Sequence, residues 1–306
     1  MSREWLQVFD DKITVASLVD YIDDYLYDVY NDDAEPDGTF PKFDYRPSQL
    51  AKSFKCVRKL VFQKTGAEFD VDSKGHSAQT HRVFLNGHDV HARLQSIIAE
   101  LDGWSEGKAK LIGRWTCAKC GERHGYDKDK EEYFKHFVRK PTKCNNAKCD
   151  SKSFYYDEVN VEIKPENIFG TGDGIVEVDG DLYLLEIKSV SPYTFPKIKE
   201  VPDYYEHQIN LYMHGLGIYK TLFLFECKGT QKMLLLNYSY KPGKVKEILN
   251  AVKKATKAIQ DKKFPLPLKK PEDINSMCTS CEYIRVCKVA KEFKENALVA
   301  DYTDNL

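Results

Sequence analysis

No stretch of this 306-residue chain approaches the ~20 consecutive apolar residues of a membrane span, so no transmembrane helix is predicted. Nothing near the start combines a basic opening with an apolar centre, which predicts no secretory leader and a cytoplasmic protein. Internal repeats and low-complexity tracts are missing. So is any Gly-x-x-x-x-Gly-Lys-Ser/Thr run, so a nucleotide-driven motor would have to be a separate chain. Net charge is nearly absent too, at -1, but the charges are unevenly spread. Residues 1–45 are acidic (Asp10, Asp11, Asp20, Asp23, Asp24, Asp28, Asp32, Asp33), whereas 228–270 holds twelve lysines. Each run alone reads as a solvated surface. Together they suit a protein that grips a phosphate backbone on one lobe. Hydrophobic content of 42% and charged content of 30% describe a globular protein of one large domain or two modest ones. In a reducing compartment its nine cysteines read as metal ligands rather than disulfides.

The most informative stretch runs from Gly170 to Lys188, Gly-Thr-Gly-Asp-Gly-Ile-Val-Glu-Val-Asp-Gly-Asp-Leu-Tyr-Leu-Leu-Glu-Ile-Lys. Asp179-Gly180 is a two-residue hairpin signal between two apolar, β-branched runs. With those residues as the turn, Val178 faces Asp181, Val176 faces Tyr183 and Asp173 faces Glu186. Opposed residues share a face about 5 Å apart, where like charges destabilise. Strand alternation puts Lys188, Leu184 and Leu182 on that face as well. Two carboxylates forced together at a half-buried hairpin, with an ammonium one step away, invite a divalent cation. That outlines a metal-dependent phosphodiester site.

Helical periodicity covers Thr14 to Asp33, residues 47–64, and Ala78 to Leu101 through Gly87, the last with a stripe of Val90, Leu94, Ile97 and Ile98. Segment 111–156 changes character, rich in Cys, Lys, Gly and Asn, and reads as an insertion. Strands follow from Val159 to Val190, then a helix over Tyr204–Tyr219, strands over Thr221–Glu226 and Met233–Tyr238, and a Lys-rich helix over Gly243–Lys263. A short final helix closes the tail. This order predicts an α/β core with a mixed central sheet flanked by helices.

Cys117 and Cys120, two residues apart, and Cys144 and Cys149, four apart, are knuckle-like pairs separated by 23 residues. Four thiolates so spaced suit a tetrahedral zinc ion, as in zinc ribbons, with His124 or His136 as alternative ligands. Such a ribbon is either a folding staple or, with Lys119, Arg123, Lys143 and Lys148, a nucleic-acid grip. Cys278, Cys281 and Cys287 form a second cluster that lacks one ligand for zinc or for an iron–sulfur cluster. Cys56 and Cys227 compete for the fourth place, and spacing alone does not choose between the two metals.

Together these residues resemble the RecB-type branch of the PD-(D/E)XK nuclease superfamily, in its iron–sulfur subgroup: CRISPR-associated adaptation exonucleases, AddAB-type helicase–nucleases and the eukaryotic flap nuclease–helicase. Five motifs carry the resemblance over most of residues 50–290. They are Cys56-Val-Arg-Lys-Leu, Gly87-His88-Asp89-Val90-His91, Gly172-Asp173-Gly174 (Gly where the superfamily name has Pro), Glu186-Ile187-Lys188, and Gln208-Ile-Asn-Leu-Tyr212. The resemblance implies a restriction-endonuclease-like core and a C-terminal iron–sulfur module, while the zinc-ribbon-like insertion lies outside the shared motifs and rests on the cysteine spacing alone. It makes Cys56, Cys278, Cys281 and Cys287 the ligands of a 4Fe-4S cluster. Composition and motifs together divide the chain into an acidic helical segment (1–45), a helical part with the first cluster cysteine (46–110), a zinc-binding insertion (111–156), a catalytic core (157–270) and the cluster tail (271–306). Asp173, Glu186, the Ile187 carbonyl and His91 would hold Mg²⁺ or Mn²⁺, an imidazole tilting the choice to Mn²⁺. Lys188 would orient or deprotonate water, and Gln208 and Tyr212, on one helical face, would contact substrate or position Lys188. Glu162 is a weaker candidate, reaching the metal through water.

For nucleic acid, Tyr193 and Phe195 are candidates to stack on bases, and Lys253, Lys254 and Lys257 to track the backbone. The implied activity is a metal-dependent DNA exonuclease favouring single-stranded or frayed ends, in recombination, repair, replication or adaptation, with a helicase or recombination or adaptation protein in trans. A structure-specific or restriction-like endonuclease shares the motifs. A non-catalytic nucleic-acid-binding protein fits the cysteine modules but leaves Asp173, Glu186 and Lys188 without a role.

Overall fold

A computed structural model describes residues 15–31, 45–65, 67, 77–125, 137–269, 274, 277–279, 281–284 and 286–287. The described residues up to Lys42 and between Val71 and Asp89 form one compact unit, and the others form a second. Among the described residues no helix is long and apolar enough to cross a membrane. The predicted final helix, and His136, lie outside them.

In the first unit, α1 (Val15–Asn31) buries Leu26 but leaves Val19, Tyr21, Ile22 and Tyr25 exposed. Helix α4 (Ala78–Trp104) begins here, capped by Ser77, whose Oγ accepts the Thr80 N–H at 3.2 Å. Arg82 and Asp23 pair.

The second unit opens with α2 (Pro47–Ser53) and α3 (Val57–Thr65), where the pattern predicted a single helix over 47–64. The chain turns at 54–56, and the Cys56 carbonyl accepts the Lys59 and Leu60 N–H groups at 3.0 and 3.3 Å to start α3. Leu50 on α2 and Leu60 on α3 are both fully buried in one cluster with Ile168, Leu211 and Ile248.

The main sheet has the order β10-β9-β8-β7-β1, built from β10 (Met233–Ser239), β9 (Lys220–Cys227), β8 (Asp181–Val190), β7 (Gly174–Val178) and β1 (Ala109–Cys117). Short strands β2 (Arg123–His124), β3 (Val138–Arg139) and β4 (Phe154–Asp157) also pair with β1. Strands β5 (Val159–Ile163) and β6 (Ile168–Gly172) make a separate hairpin. Strands β8 and β9 run parallel, joined through α5 (Asp203–Leu216), while the other pairings in the main sheet are antiparallel, so the sheet is mixed as predicted. Helix α6 (Pro242–Gln260) packs its Val245, Ile248 and Val252 face on α3. Segment 111–156 is not wholly apart from this core. Ala109–Ile112 pair with Ile175–Val178, so the excursion from the sheet lies between Cys117 and Phe154.

Two apolar layers enclose β8. On one face Leu184 packs with Val159, Val161, Phe223 and the α5 residues Ile209 and Met213. On the other, Leu185 and Ile187 meet Leu111, Trp115 and the α4 residues Val90 and Leu94. Ile97, expected in that stripe, is 52% exposed, and Ala99 takes the buried place. A strand buried on both faces should read as continuously apolar. Glu186, 2% exposed in its middle, breaks that rule and marks the site.

The join of α5 to the β5–β6 hairpin gives a stability test. A Cβ on Gly215 would stand 2.6 Å from Val161 Cγ1 and 3.4 Å from the Glu162 carbonyl. Helix propensity favours alanine by about 1 kcal/mol, but overpacking costs about 1–3 kcal/mol. Gly215→Ala should therefore lower the thermal midpoint; a rise would show that the hairpin yields.

Candidate active site

Asp173 sits where the chain passes from β6 of the small hairpin to β7 of the main sheet. The flanking glycines fit that passage: a Cβ at Gly174 would stand 3.0 Å from Leu111 Cδ1 and 3.1 Å from the Tyr156 hydroxyl. The turn is as predicted. Asp179 and Gly180 have φ of 49° and 87°, the positive pair of a type I′ hairpin, and Val178 faces Asp181 while Val176 faces Tyr183. Continuing that register sets Asp173 against Glu186.

The Asp173 carboxylate is buried and held from two sides. Oδ2 accepts the Ile187 N–H at 2.6 Å, and Oδ1 lies 3.3 Å from His91 Nδ1. Gln95, one turn along α4 from His91, donates to the Asp173 carbonyl at 2.7 Å. Against the effect of burial, His91 and Lys188 hold Asp173 below the usual carboxylate range. Asp173 in turn raises His91, although burial opposes it. Glu186 behaves oppositely. Burial, aided by Asp173 and resisted by Lys188, pushes it up to about 7. One Glu186 oxygen contacts Lys188 Nζ; the other, Oε2, is buried with no hydrogen-bond partner among the described residues. Burial works against the Lys188 ammonium, but the Glu186 and Asp173 carboxylates outweigh it and raise its pKa.

Three donor atoms, from His91, Glu158 and Asp173, lie within 4.8 Å of one another, close enough to share one ion. Glu158, between β4 and β5, was not foreseen. Glu162, the candidate offered instead, is exposed on β5 opposite Phe169. Glu186 stands outside that triplet, turned toward Lys188. Ile187 gives its N–H to Asp173 and its side chain to the core. His88 is exposed. On α5, Gln208 Nε2 donates to the Tyr212 hydroxyl at 3.1 Å. Tyr212 is buried, and burial first, then the Glu186 carboxylate, raises its pKa.

The other predicted residues divide. Tyr193 is 76% exposed with Lys197 over its ring at 3.1 Å, while Phe195 packs on the core. Lys253 faces Glu166 at 3.8 Å and Lys257 pairs with Asp261 at 2.9 Å, so two of the three helix lysines are engaged in ion pairs; Lys254 is exposed.

Cys117, Cys120, Cys144 and Cys149 converge, all four sulfurs within 4.8 Å, with Cys117–Cys149 at 3.8 Å and Cys120–Cys144 at 3.6 Å. Against burial, the N–H groups of Cys120 and Lys119 pull the Cys117 thiol down to about 6, whereas burial and the neighbouring thiols push Cys144 up to about 12, so in the metal-free set the thiols do not all ionise together. His124 is buried opposite Trp115 and stands outside this donor group. Cys56, Cys278, Cys281 and Cys287 line a different cavity of about 170 Å³, together with Arg58, Lys59 and Phe62. They do not approach to single-ion distance as a group. Cys227 is buried at the end of β9 and does not line that cavity.

No family model matches this chain, and no curated protein matches it. Among solved structures it is similar to SSO0001, at 12% identity over 89% of this chain and 96% of that one, with a TM-score of 0.43. It is similar to LHK-Exo in complex with dAMP, at 16% identity over 71% and 88% of the two chains, with a TM-score of 0.38. The alkaline exonuclease LHK-Exo from Laribacter hongkongensis gives 14%, 72%, 89% and 0.39 in the same order. At these scores the likenesses assign neither family nor activity.

Proposed function

We propose that this chain is a divalent-metal-dependent deoxyribonuclease of the PD-(D/E)XK type, acting as an exonuclease on single-stranded or frayed DNA ends. The observation that carries this reading is the buried Glu186 oxygen without a partner among the described residues, set against Asp173 beside His91 and Glu158. An orphaned buried carboxylate oxygen is costly, and a cation beside it removes the cost. His91, Glu158 and Asp173 would hold Mg²⁺ or Mn²⁺, with Glu186 and the Ile187 carbonyl completing the shell. Bound there, the ion would shield phosphate charge and lower the pKa of water.

The chain's own residues divide the remaining work. Lys188, kept protonated by two carboxylates, orients the attacking water and offsets phosphate charge. Gln208 and Tyr212 brace the substrate side of the sheet. The Cys117, Cys120, Cys144 and Cys149 set would hold zinc. The Cys56, Cys278, Cys281 and Cys287 set would hold a 4Fe-4S cluster: its cavity exceeds the ~30 Å³ share of one water several-fold, and its sulfurs are spread beyond one ion's reach. On this reading 1–45 is an acidic accessory segment, 46–110 and 157–270 make the nuclease, and 271–306 closes the cluster. A helicase, recombination or adaptation protein would act in trans.

The test uses end-labelled linear and covalently closed single-stranded DNA, with duplex of the same sequence, in Mg²⁺ and Mn²⁺. Linear strands should be degraded from an end and circles left intact. Cut circles would make the enzyme an endonuclease, and no metal-dependent cleavage of any substrate would overturn the reading.

A further inference from the structure

We propose that Tyr204 and Tyr205, on the first turn of α5, form a stacking platform for an unpaired nucleobase next to the phosphodiester that Lys188 faces. The proposal rests on the nuclease reading above and names how that site would choose its strand.

Tyr205 is the fixed half of the pair. It is half-buried, with Phe223 and Phe225 ring centroids 6.1 and 6.4 Å away. Its ring centroid is 5.2 Å from Lys188 Nζ, so the aromatic surface borders the ammonium directly. Tyr205, Gln208 and Tyr212 fall at i, i+3 and i+7 and share a helix face, which sets the tyrosine in line with the two other predicted contact residues. Tyr204 is the free half. It is 65% exposed, and its ring lies against Tyr205 with centroids 4.3 Å apart at 54°. Core packing does not account for a large ring held at the surface against an anchored neighbour.

A nucleobase is the occupant that the neighbouring chemistry selects. Lys188 and the carboxylates beside it are suited to a phosphodiester, and a ring bordering the ammonium is met by the base carried on that same strand. Stacking on tyrosine is indifferent to base identity, which suits an enzyme that must pass along any sequence. A paired base is already stacked on both faces within its duplex, so the platform favours single strands and frayed ends.

The experiment compares binding of two phosphorothioate oligonucleotides in Ca²⁺, a hard cation that binds sulfur poorly, by fluorescence anisotropy, one complete and one abasic at its terminal nucleotides. The wild-type chain should bind the complete strand about tenfold tighter, the size of one base stacked on an aromatic ring, and Tyr204→Ala should shrink that ratio to about twofold or less. Tyr204→Trp should keep it, since the face and not the hydroxyl is used. A wild-type chain indifferent to the missing bases, or a Tyr204→Ala variant that keeps the tenfold ratio, would overturn the platform. Cleavage of ordinary DNA is measured separately. A base-dependent binding ratio without cleavage would therefore sink the nuclease reading and leave the platform standing.

Discussion

Glu186→Gln should lower phosphodiester hydrolysis by about 10²–10³-fold or more and leave the chain folded. The substitution keeps the shape of the side chain and removes the charge. In the native chain that charge sits 2% exposed in the middle of β8, with one oxygen on Lys188 and the other without a hydrogen-bond partner among the described residues. Without the carboxylate, Lys188 loses its nearest anion and the proposed metal loses a ligand. A second readout separates this from a folding defect. Saturating Mn²⁺ at about 100 times its Kd should stabilise the wild-type chain by about 2.7 kcal/mol, and the variant by much less. A variant with wild-type rates would remove Glu186 from the chemistry.

The same carboxylate sets a pH signature in the metal-free protein. Because its folded pKa is raised to about 7, its contribution to stability is fully present below the ordinary value of about 4.3 and is lost as pH rises through about 7. Asp173, held low, acts in the opposite window: its contribution is present above the ordinary carboxylate range and lost as pH falls below it. Thermal midpoints measured in chelator should therefore fall between about pH 5 and 7.5 in the wild type and stay flatter in Glu186→Gln. An equal slope in both would place the titrating group elsewhere.

The hairpin around this site was legible because its signals are local. Asp179-Gly180 dictates a two-residue turn, the turn dictates register, and register sets Asp173 against Glu186. Glu158 carries no such signal. It joins His91 and Asp173 only because β4 and β5 pair with different sheets and the residue between them is carried to the junction. Its distance from His91 along the chain gives no clue. The turn at 54–56 was hidden for a simpler reason: no Gly or Pro marks it. Strand β1 was obscured by composition. Its Arg114 and Thr116 read as part of a polar insertion, although Leu111 and Trp115 are buried at 1% against α4. Tyr204 and Tyr205 were visible as residues of a helix, but their relation to Lys188 needs β8 and α5 in place together.

The largest structural losses should follow removal of the cysteine modules, and they should be separable. Anaerobically purified protein is expected to carry about one zinc and about four irons per chain, with broad absorbance near ~400 nm. Cys144→Ser should lose the zinc and keep the iron. Zinc binding contributes about 10–16 kcal/mol in isolated finger peptides, but here the loss should be local. The excursion between Cys117 and Phe154 is attached to β1, which pairs with β7 and buries Leu111 and Trp115 in the α4 layer. The sheet should therefore persist while lysines such as Lys119, Lys143 and Lys148 become open to trypsin. Cys56→Ala should do the reverse, losing iron and keeping zinc. Its effect should reach further, because the cavity it lines ties α3 to the chain after Pro265: Arg58 donates to the Pro265 carbonyl at 2.7 Å and to the Cys287 carbonyl at 3.3 Å, and Lys59 pairs with Glu282 at 2.7 Å. With the cluster gone those contacts and the packing of Tyr283 on Phe62 must hold the tail, so the thermal midpoint should drop and the tail become protease-sensitive. A colourless protein with two zincs and no iron would overturn the cluster, since a second zinc would need the four sulfurs drawn to the single-ion distance that, among the described residues, the Cys117 set alone shows for sulfur.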